Sequence, residues 1–188
     1  MVMPAVLPRY TVDMLDALPD YPGVRYELVD GLLLVTPAAG SLHAGITARL
    51  IASLVAGIPE DYAYVAPPGE VRVGRFTSLV PDILVYPSRF PLGTAWKDIT
   101  EWLLAIEIVS PSSAVYDRDH KRRAYLALGV REYWVVDPMR RSIEVWRPGD
   151  AAPRIESVRF EYVTPDGGHR VSIDVERLFR DVIGSDFE

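Results

Sequence analysis

The chain has 188 residues, of which 49% are hydrophobic, so it can bury one sizeable core, and its length favours a single domain spanning residues 1–188. It contains no cysteine, which excludes disulfides, thiolate zinc sites and cysteine nucleophiles. The formal net charge of -6 argues against a protein that coats nucleic acid non-specifically, because that binding relies on an excess of Lys and Arg, but it does not exclude an enzyme that contacts DNA locally.

The start of the chain predicts a short helix, and we expect no targeting signal there. The first ten residues lack the basic segment and long apolar core of a signal peptide, and no later run approaches about 20 apolar residues, so we expect a soluble, cytoplasmic protein without a membrane partner. Thr11 is a candidate N-cap for a helix that ends near Pro19. Met14, Leu15 and Leu18 form its predicted apolar side.

A β-hairpin follows this helix. Apolar strands at Arg25–Val29 and Leu32–Thr36 flank Asp30-Gly31, the dipeptide most typical of a two-residue type I′ turn. Glu27 lies in the first strand of the predicted hairpin.

A long helix is predicted next, from about Leu42 to Ala56, with Ser41 as its N-cap. Gly57 and Pro59 end it. Its predicted buried face consists of apolar residues at helical spacing: Ile46, Leu50, Ile51, Leu54 and Val55.

Three short apolar runs then predict strands. Tyr62–Ala66 and Val71–Val73 lie on either side of a proline-glycine turn. Pro81-Asp82 interrupts the third run, Leu79–Tyr86, which favours an edge position, a bulge, or a strand that begins at Asp82. Residues 87–100 are predicted to form a loop.

The run Leu103–Val109 is too short to span a membrane and too rich in Leu, Ile and Val to be a loop, so it predicts a strand buried on both faces. Glu107 is the exception within this strand. A carboxylate removed from water costs several kcal/mol unless it is paired. Glu107 must therefore be paired, protonated, exposed at the strand end or bound to a cation.

The rest of the chain predicts further strands and helices. After a turn at Ser110–Ser113, a helix from Asp117 to Leu128 stops at Gly129, and a last helix spans Val175–Val182. The strands predicted between them are Glu132–Val136, Ser142–Arg147, Arg159–Val163 and Arg170–Ile173. Trp134 and Trp146 are interpreted as core or interface aromatics. The fold class is α/β, more exactly an α+β mixed sheet flanked by helices.

Asp82, Glu107 and Lys121 are the candidates for chemistry. If the strands that carry Asp82 and Glu107 are neighbours, the two carboxylates can meet at one edge of the sheet, and the following helix can return Lys121 to them. Two hard oxygen ligands with open positions suit Mg²⁺ or Mn²⁺. Such a metal could activate water and bind a phosphodiester, while an ammonium group offsets the charge that develops on phosphorus.

Pro81-Asp82 followed by Glu107-Ile108-Val109 resembles the PD-(D/E)XK nuclease superfamily, in which the Asp and Glu hold the metal. Longer motifs make the chain, over roughly Thr11 to Val182, similar to the Uma-type "putative restriction endonuclease" family. These motifs are Tyr26-Glu27-Leu28-Val29-Asp30-Gly31, Pro81-Asp82-Ile83, Glu107-Ile108-Val109-Ser110-Pro111-Ser112, the helix with Asp117, Lys121 and Tyr125, and Glu132-Tyr133-Trp134-Val135-Val136-Asp137-Pro138.

The resemblance implies a restriction endonuclease-like fold and a magnesium-dependent (or manganese-dependent) DNA endonuclease. Asp82, Glu107 and the main-chain carbonyl of Ile108 would be the metal ligands, and Glu27 a further acidic member of the site. His43 would be peripheral. Because an enzyme that cuts both DNA strands benefits from two sites, we expect a homodimer.

One departure concerns the lysine. Val109 stands where the superfamily pattern has its lysine, so the resemblance assigns that role to Lys121 on the following helix. Considered alone, Lys121 could instead form a simple helical ion pair with Asp117, four residues away. Glu27 could be an exposed hairpin residue, and His43 a cap or packing residue.

Two other functions remain open on the sequence. The acidic charge and the absent Glu-x-Lys favour a catalytically inactive domain of the same fold that binds nucleic acid or a protein partner. Alternatively, Asp82 and Glu107 could be the acid and the nucleophile or base of a glycosidase. The glycosidase predicts a broad aromatic-lined cleft and no role for Lys121 or a metal.

Overall fold

The computed structural model describes residues 9–110 and 113–184, so Pro111 and Ser112 of the predicted turn lie outside it. The strands within these ranges are β1 (Val24–Val29), β2 (Leu32–Pro37), β3 (Ala63–Ala66), β4 (Val71–Val73), β5 (Thr77–Leu79), β6 (Ile83–Pro87), β7 (Leu104–Ile108), β8 (Tyr133–Asp137), β9 (Ser142–Trp146), β10 (Arg154–Glu156), β11 (Arg159–Val163) and β12 (Arg170–Asp174). The helices are α1 (Val12–Asp16), α2 (Ser41–Gly57), α3 (Arg122–Ala127) and α4 (Val175–Ile183), with a 3₁₀ turn at Trp96–Asp98 and a π-helical turn at Tyr116–Lys121.

The strands form three sheets. A six-stranded sheet has the order β10-β9-β8-β7-β6-β3, a four-stranded sheet the order β2-β1-β5-β4, and β11 pairs with β12. Strands β7 and β8 are parallel, and the connection between them carries the π-helical turn and α3. The other pairs in the six-stranded sheet are antiparallel. The chain therefore has the mixed α+β fold that the sequence predicts.

The predicted hairpin is confirmed. Strands β1 and β2 pair in antiparallel register with Glu27 opposite Leu34, and both turn residues have positive φ, 50° at Asp30 and 84° at Gly31. Positive φ at both central positions is what a type I′ turn requires.

The apolar run around Pro81-Asp82 is two strands rather than one. Strand β5 belongs to the four-stranded sheet and β6 to the six-stranded sheet, so the chain changes sheets between Leu79 and Ile83. The predicted edge position is wrong, because β6 lies between β3 and β7. A strand that starts close to Asp82 is the alternative that the structure supports.

Two hydrophobic layers cover the six-stranded sheet. Helices α2 and α4 and the β11-β12 pair cover one face, where Trp134 packs edge-on against Phe160 and Tyr162. The other face carries Tyr125 and Tyr133 among apolar residues contributed in part by the four-stranded sheet. Strands β7 and β8 are buried along their whole length, as a strand between two such layers must be.

Several local predictions need correction. In α1, Thr11 is the N-cap as predicted, but Met14 is 50% exposed and Val12 is the buried residue. In α2 the N-cap is Gly40, and Ser41 already lies in the first turn. Val55 is 51% exposed, because the buried face is narrower than predicted. Strand β10 was not predicted, since its three residues carry little apolar pattern. Within the two described ranges, no helix is long and apolar enough to cross a membrane.

Candidate functional site

The paired strands β6 and β7 bring Asp82 and Glu107 to the same edge of the six-stranded sheet. Because the pair is antiparallel, the start of β6 lies beside the end of β7. Asp82 directly precedes β6, and its Oδ2 accepts a hydrogen bond of 2.8 Å from the main-chain N–H of Ile108 at the end of β7. The expected meeting of the two carboxylates therefore rests on backbone pairing, and both residues are buried.

Lys121 lies at the centre of the site, between three carboxylates. Its Nζ donates to Glu27 Oε2 at 2.8 Å and Glu107 Oε1 at 3.1 Å, and it forms an ion pair with Asp117 Oδ1 at 3.3 Å. Burial by itself would lower the pKa of Lys121, but the nearby carboxylates reverse that effect and raise it. Lys121 is therefore a permanent cation.

Asp82 is held by a separate set of donors. Both terminal nitrogens of Arg25 lie 3.2 Å from its Oδ1, and His43 Nε2 lies 3.0 Å from the same oxygen. Burial acts to raise the pKa of Asp82, but the hydrogen bond and charge of His43, the Ile108 N–H and the charge of Arg25 together hold it below its usual value. Asp82 therefore remains an anion in the folded protein.

Glu107 has the opposite electrostatic setting. Burial raises its pKa well above the usual value, with further increases from Asp82, Glu27 and Asp117, and Lys121 opposes these effects only in part. Its Oε1 also accepts a hydrogen bond of 2.8 Å from the Tyr125 hydroxyl. Glu107, the acidic residue in an otherwise apolar strand, is therefore the position where a negative charge costs the most free energy.

The π-helical turn that carries Asp117 and Lys121 is fixed to the sheet on both sides. The Tyr133 hydroxyl donates to the carbonyl oxygen of Asp117 at 2.9 Å, and the ring of Tyr133 stacks on Tyr125 with centroids 5.1 Å apart. Arg118 donates to Glu144 at 2.6 Å and to Asp137 at 2.5 Å. Such anchors hold a helical form that is rare in proteins and frequent at functional sites.

All of the predicted site residues lie on one cleft of about 660 Å³. The predicted residues among its lining are Glu27, His43, Asp82, Glu107, Ile108 and Lys121. Apolar residues of β2 and of the β8–β9 turn, such as Val35 and Met139, complete its rim. A cleft with convergent polar groups and displaced pKa values is the usual setting of a binding or catalytic site.

Of the three alternative interpretations from the sequence, one is wrong and two hold in part. Glu27 is not an exposed hairpin residue, since it is 1% exposed and its Oε1 accepts a hydrogen bond of 2.8 Å from the Val80 N–H. His43 lies in the first turn of α2, as the cap interpretation predicts, and it also contacts Asp82. The Asp117–Lys121 ion pair exists, but it is part of a buried cluster rather than a solvated helix face.

Three members of the site are not among the predicted site residues: Arg25, Asp117 as a cleft residue, and Tyr125 as a partner of Glu107. A pattern was present for Arg25, because residues two apart on a strand share a face and Arg25 lies two before Glu27. No local pattern relates Tyr125 to Glu107, because that contact depends on how α3 packs on the sheet.

The side chains of the cleft fit a divalent cation with few protein ligands. Residues 9–110 and 113–184 contain no group of three or more His, Cys, Asp or Glu arranged as metal ligands. However, Mg²⁺ commonly uses only one or two carboxylates and completes its shell with water and phosphate oxygens. Asp82 and Glu107 can supply these oxygens, and Asp117, whose Oδ1 forms an ion pair with Lys121, lies on the same cleft. The cleft also has more acidic than basic side chains, because the carboxylates of Glu27, Asp82, Glu107 and Asp117 outnumber Lys121 and Arg25.

Comparisons with known proteins agree with this fold. The sequence model of the family Uma2, described as "Putative restriction endonuclease", matches residues 12–176. A crystal structure of "a putative nuclease belonging to DUF820" from Anabaena variabilis ATCC 29413 superposes with a TM-score of 0.73 at 21% sequence identity, covering 90% of this chain and 97% of that one. No curated protein matches the sequence.

Proposed function

The chain belongs to the Uma2 family, and from this premise we propose that it is a metal-dependent endonuclease that hydrolyses phosphodiester bonds in DNA. The observation that carries the proposal is the meeting of Asp82, Glu107 and Lys121 on one cleft, at the edge of two adjacent strands. The wider proposal is a single cytoplasmic domain that acts as a homodimer, so that two sites can address the two strands of a duplex.

Asp82, Glu107 and the main-chain carbonyl of Ile108 would hold Mg²⁺ or Mn²⁺. When bound, the metal supplies Lewis acidity to a phosphoryl oxygen and lowers the pKa of water. Arg25 and His43 keep Asp82 ionised and oriented, which readies one carboxylate for this role before any cation arrives. Glu107 is the carboxylate of the pair that is costly to ionise, and a bound cation would stabilise its ionised form.

Lys121 acts as a cation rather than as a base. Its raised pKa keeps Nζ protonated, so it cannot take a proton from the attacking water near neutral pH. Its ammonium group can instead stabilise the negative charge that develops on the phosphate as the water oxygen bonds to phosphorus. Glu27 positions Lys121 at 2.8 Å and, through its other oxygen, anchors the segment that precedes Asp82.

Nicking of supercoiled plasmid tests this proposal. Purified protein is incubated with Mg²⁺ or Mn²⁺, with and without a chelator, beside Glu107→Ala and Lys121→Ala variants. Glu132→Gln is a matched control, because Glu132 is also a buried carboxylate on the sheet but lies at the opposite end of β8 from Asp137. We expect metal-dependent nicking that both site variants lose and the control keeps. Nicking by Glu107→Ala, or nicking that continues in the presence of the chelator, contradicts the proposal.

A catalytically inactive domain that binds nucleic acid or a protein partner is the second candidate. The observation in its favour is that Lys121 is fully engaged by three carboxylates, while Val109 occupies the usual lysine position. Calorimetry with Mn²⁺ separates the two candidates, because the inactive domain is expected to bind no metal at Asp82 and Glu107. A glycosidase would have no role for Lys121. The direct contact of Lys121 with Glu107 therefore does not favour that function.

A further inference from the structure

A second cleft, of about 360 Å³, lies beside the turn between β8 and β9. Three arginines line it: Arg140 and Arg141 from the turn and Arg180 from α4. Ser157 adds a hydroxyl, Glu176 is the acidic residue of the lining, and Phe179 forms an apolar wall. Three positive charges against one negative charge give this cleft a net positive charge on a chain whose overall charge is -6.

Two arginines of this cleft, Arg140 and Arg141, have unused hydrogen-bonding capacity. Nη2 of Arg141 is buried and has no hydrogen-bond partner within the described ranges. The ion pairs of Arg140 with Asp137 and Glu144 are long, 3.8 and 3.9 Å, and its side chain is 67% exposed. A buried guanidinium nitrogen without a partner costs free energy that an anion in the cleft would recover.

This cleft is next to the site cleft along the same turn. Pro138 and Met139 line the site cleft, whereas Arg140 and Arg141 line the second one. The Cα atoms of Met139 and Arg141, two residues apart, are separated by no more than about 7 Å. The two clefts are therefore neighbours along this turn, so one bound strand could reach both.

The turn itself is held in place. Oδ1 of Asp137 accepts hydrogen bonds from the N–H groups of Met139 at 2.9 Å and Arg140 at 3.0 Å. Arg141 has a φ of 50°, a left-handed conformation in which residues other than glycine are uncommon. On this fixed turn, Pro138 and Met139 line the site cleft and Arg140 and Arg141 line the second one.

We propose that Arg140, Arg141 and Arg180 form a binding site for a backbone phosphate of the nucleic acid, next to the phosphodiester in the site cleft. The inference rests on the proposed nuclease function for the identity of its ligand. Arginine is suited to this role because its planar guanidinium contacts phosphate oxygens in pairs. The contact positions the strand and reads no base.

Salt-dependent binding to a fluorescein-labelled DNA duplex tests the site. Affinities are measured with Mg²⁺ in a Glu107→Gln background, which keeps the duplex uncut, and Arg141→Ala and Arg180→Ala are compared with Arg131→Ala. Arg131 is an exposed arginine at the opposite end of β8 and so matches the charge lost. We expect Arg141→Ala and Arg180→Ala each to weaken binding about tenfold and to reduce the slope of log K against log salt by about one.

Arg180→Ala keeps the test decisive if Arg141→Ala folds poorly, because Arg180 is exposed on a helix, where alanine is favoured. Variants that bind the duplex as Arg131→Ala does overturn the site, and nicking by the wild-type protein then leaves the proposed function intact. An absence of both duplex binding and nicking overturns both. Thermal stabilisation by inorganic phosphate that Arg141→Ala and Arg180→Ala remove, while duplex binding is unchanged, assigns the cleft to a small anion and overturns the phosphodiester.

Discussion

Glu107 concentrates the electrostatic cost of the site. The site has four buried carboxylates, Glu27, Asp82, Glu107 and Asp117. They outnumber the basic side chains that contact them, which are Lys121, Arg25 and His43. Such an excess of negative charge in a buried place is unfavourable for folding. Its persistence is typical of sites where stability is exchanged for activity.

Glu107→Gln is expected to abolish nicking and to increase the free energy of unfolding at pH 7 by on the order of 1 kcal/mol. Glutamine can still accept the hydrogen bonds of Tyr125 and Lys121, while the buried charge is removed. The folded protein raises the pKa of Glu107 above its usual 4.5, so it binds more protons than the unfolded chain, and stability falls as the pH rises past that value. The gain of the variant should therefore be present above pH 4.5 and vanish below it, as urea unfolding at several pH values would measure.

Glu132→Gln provides the contrast for this measurement. Glu132 accepts hydrogen bonds of 2.7 Å from both Trp134 and Arg147, so an amide there replaces an acceptor with a donor. We expect this variant to lose about 1 kcal/mol of stability and to keep nicking activity. Equal stability losses in Glu107→Gln and Glu132→Gln would contradict the strained-charge account of Glu107.

Arg25→Ala is expected to move the acidic limb of the pH–rate profile upward, by less than the loss of His43 would move it. Arg25 helps to hold the pKa of Asp82 below its usual value, so its loss lets Asp82 take up a proton at higher pH. The depressed pKa of Asp82 contributes stability above its unfolded value of 3.8 that is lost as pH falls, so the variant should also be less stable at neutral pH. Nicking rates measured between pH 4 and 7 check the shift. An unchanged profile, with Arg131→Ala as the control, would mean that His43 and the Ile108 N–H alone set the ionisation of Asp82.

Among the elements, the β1–β2 hairpin contributes most to the site, because it carries both Arg25 and Glu27. Its turn depends on Gly31, which has a φ of 84°, and a Cβ built there would lie 3.0 Å from Cβ of Arg9. Gly31→Ala is expected to cost about 2 kcal/mol of stability in urea unfolding, from backbone strain plus this close contact. Gly74→Ala is the control, since Gly74 has a φ of 62° with no atom within 4 Å, and it should lose only the strain, about 1 kcal/mol. Equal losses of stability in Gly31→Ala and Gly74→Ala would mean that the contact with Arg9 contributes nothing to the cost of Gly31→Ala.

Elements with a strong local pattern could be predicted from the sequence, and those set by packing could not. The hairpin, α2 and the strand with Glu107 follow from turn chemistry and apolar period. The sequence around Pro81-Asp82 is compatible with three alternatives, because a proline in an apolar run does not show which sheet the next strand joins. The π-helical turn has no pattern of its own, since the contacts with Tyr133 and Arg118 that hold it come from residues distant in sequence.

The same division applies to the site. Glu107 is conspicuous in the sequence, because it is the charge in a buried strand. Asp82 and Lys121 follow from the order of the strands and the helix, and the family resemblance adds Glu27. The contacts of Arg25 and Tyr125 could not be predicted, because they depend on the docking of two sheets and of α3. The proposed roles of these residues in catalysis remain predictions.

For the molecule as a whole, a metal that binds the folded state alone must stabilise it. At a concentration about 100 times its dissociation constant, such a ligand adds about 2.7 kcal/mol. For a chain of this length that corresponds to a rise of roughly 5–10 °C in Tm. We expect Mn²⁺ to produce this rise in the wild-type protein and not in Asp82→Asn, as scanning calorimetry would show. An equal rise in both proteins would place the metal elsewhere.

The four-stranded and six-stranded sheets share a hydrophobic layer, and at the site Glu27 of the four-stranded sheet bonds to Lys121, 94 residues away in the chain. A contact between such distant residues forms late in folding, because the long intervening loop must be closed first. Each sheet can acquire its hydrogen bonds while the cleft is still open. A newly synthesised chain would therefore form its secondary structure before it becomes active. The delay between these two events would measure how long one sheet takes to dock on the other.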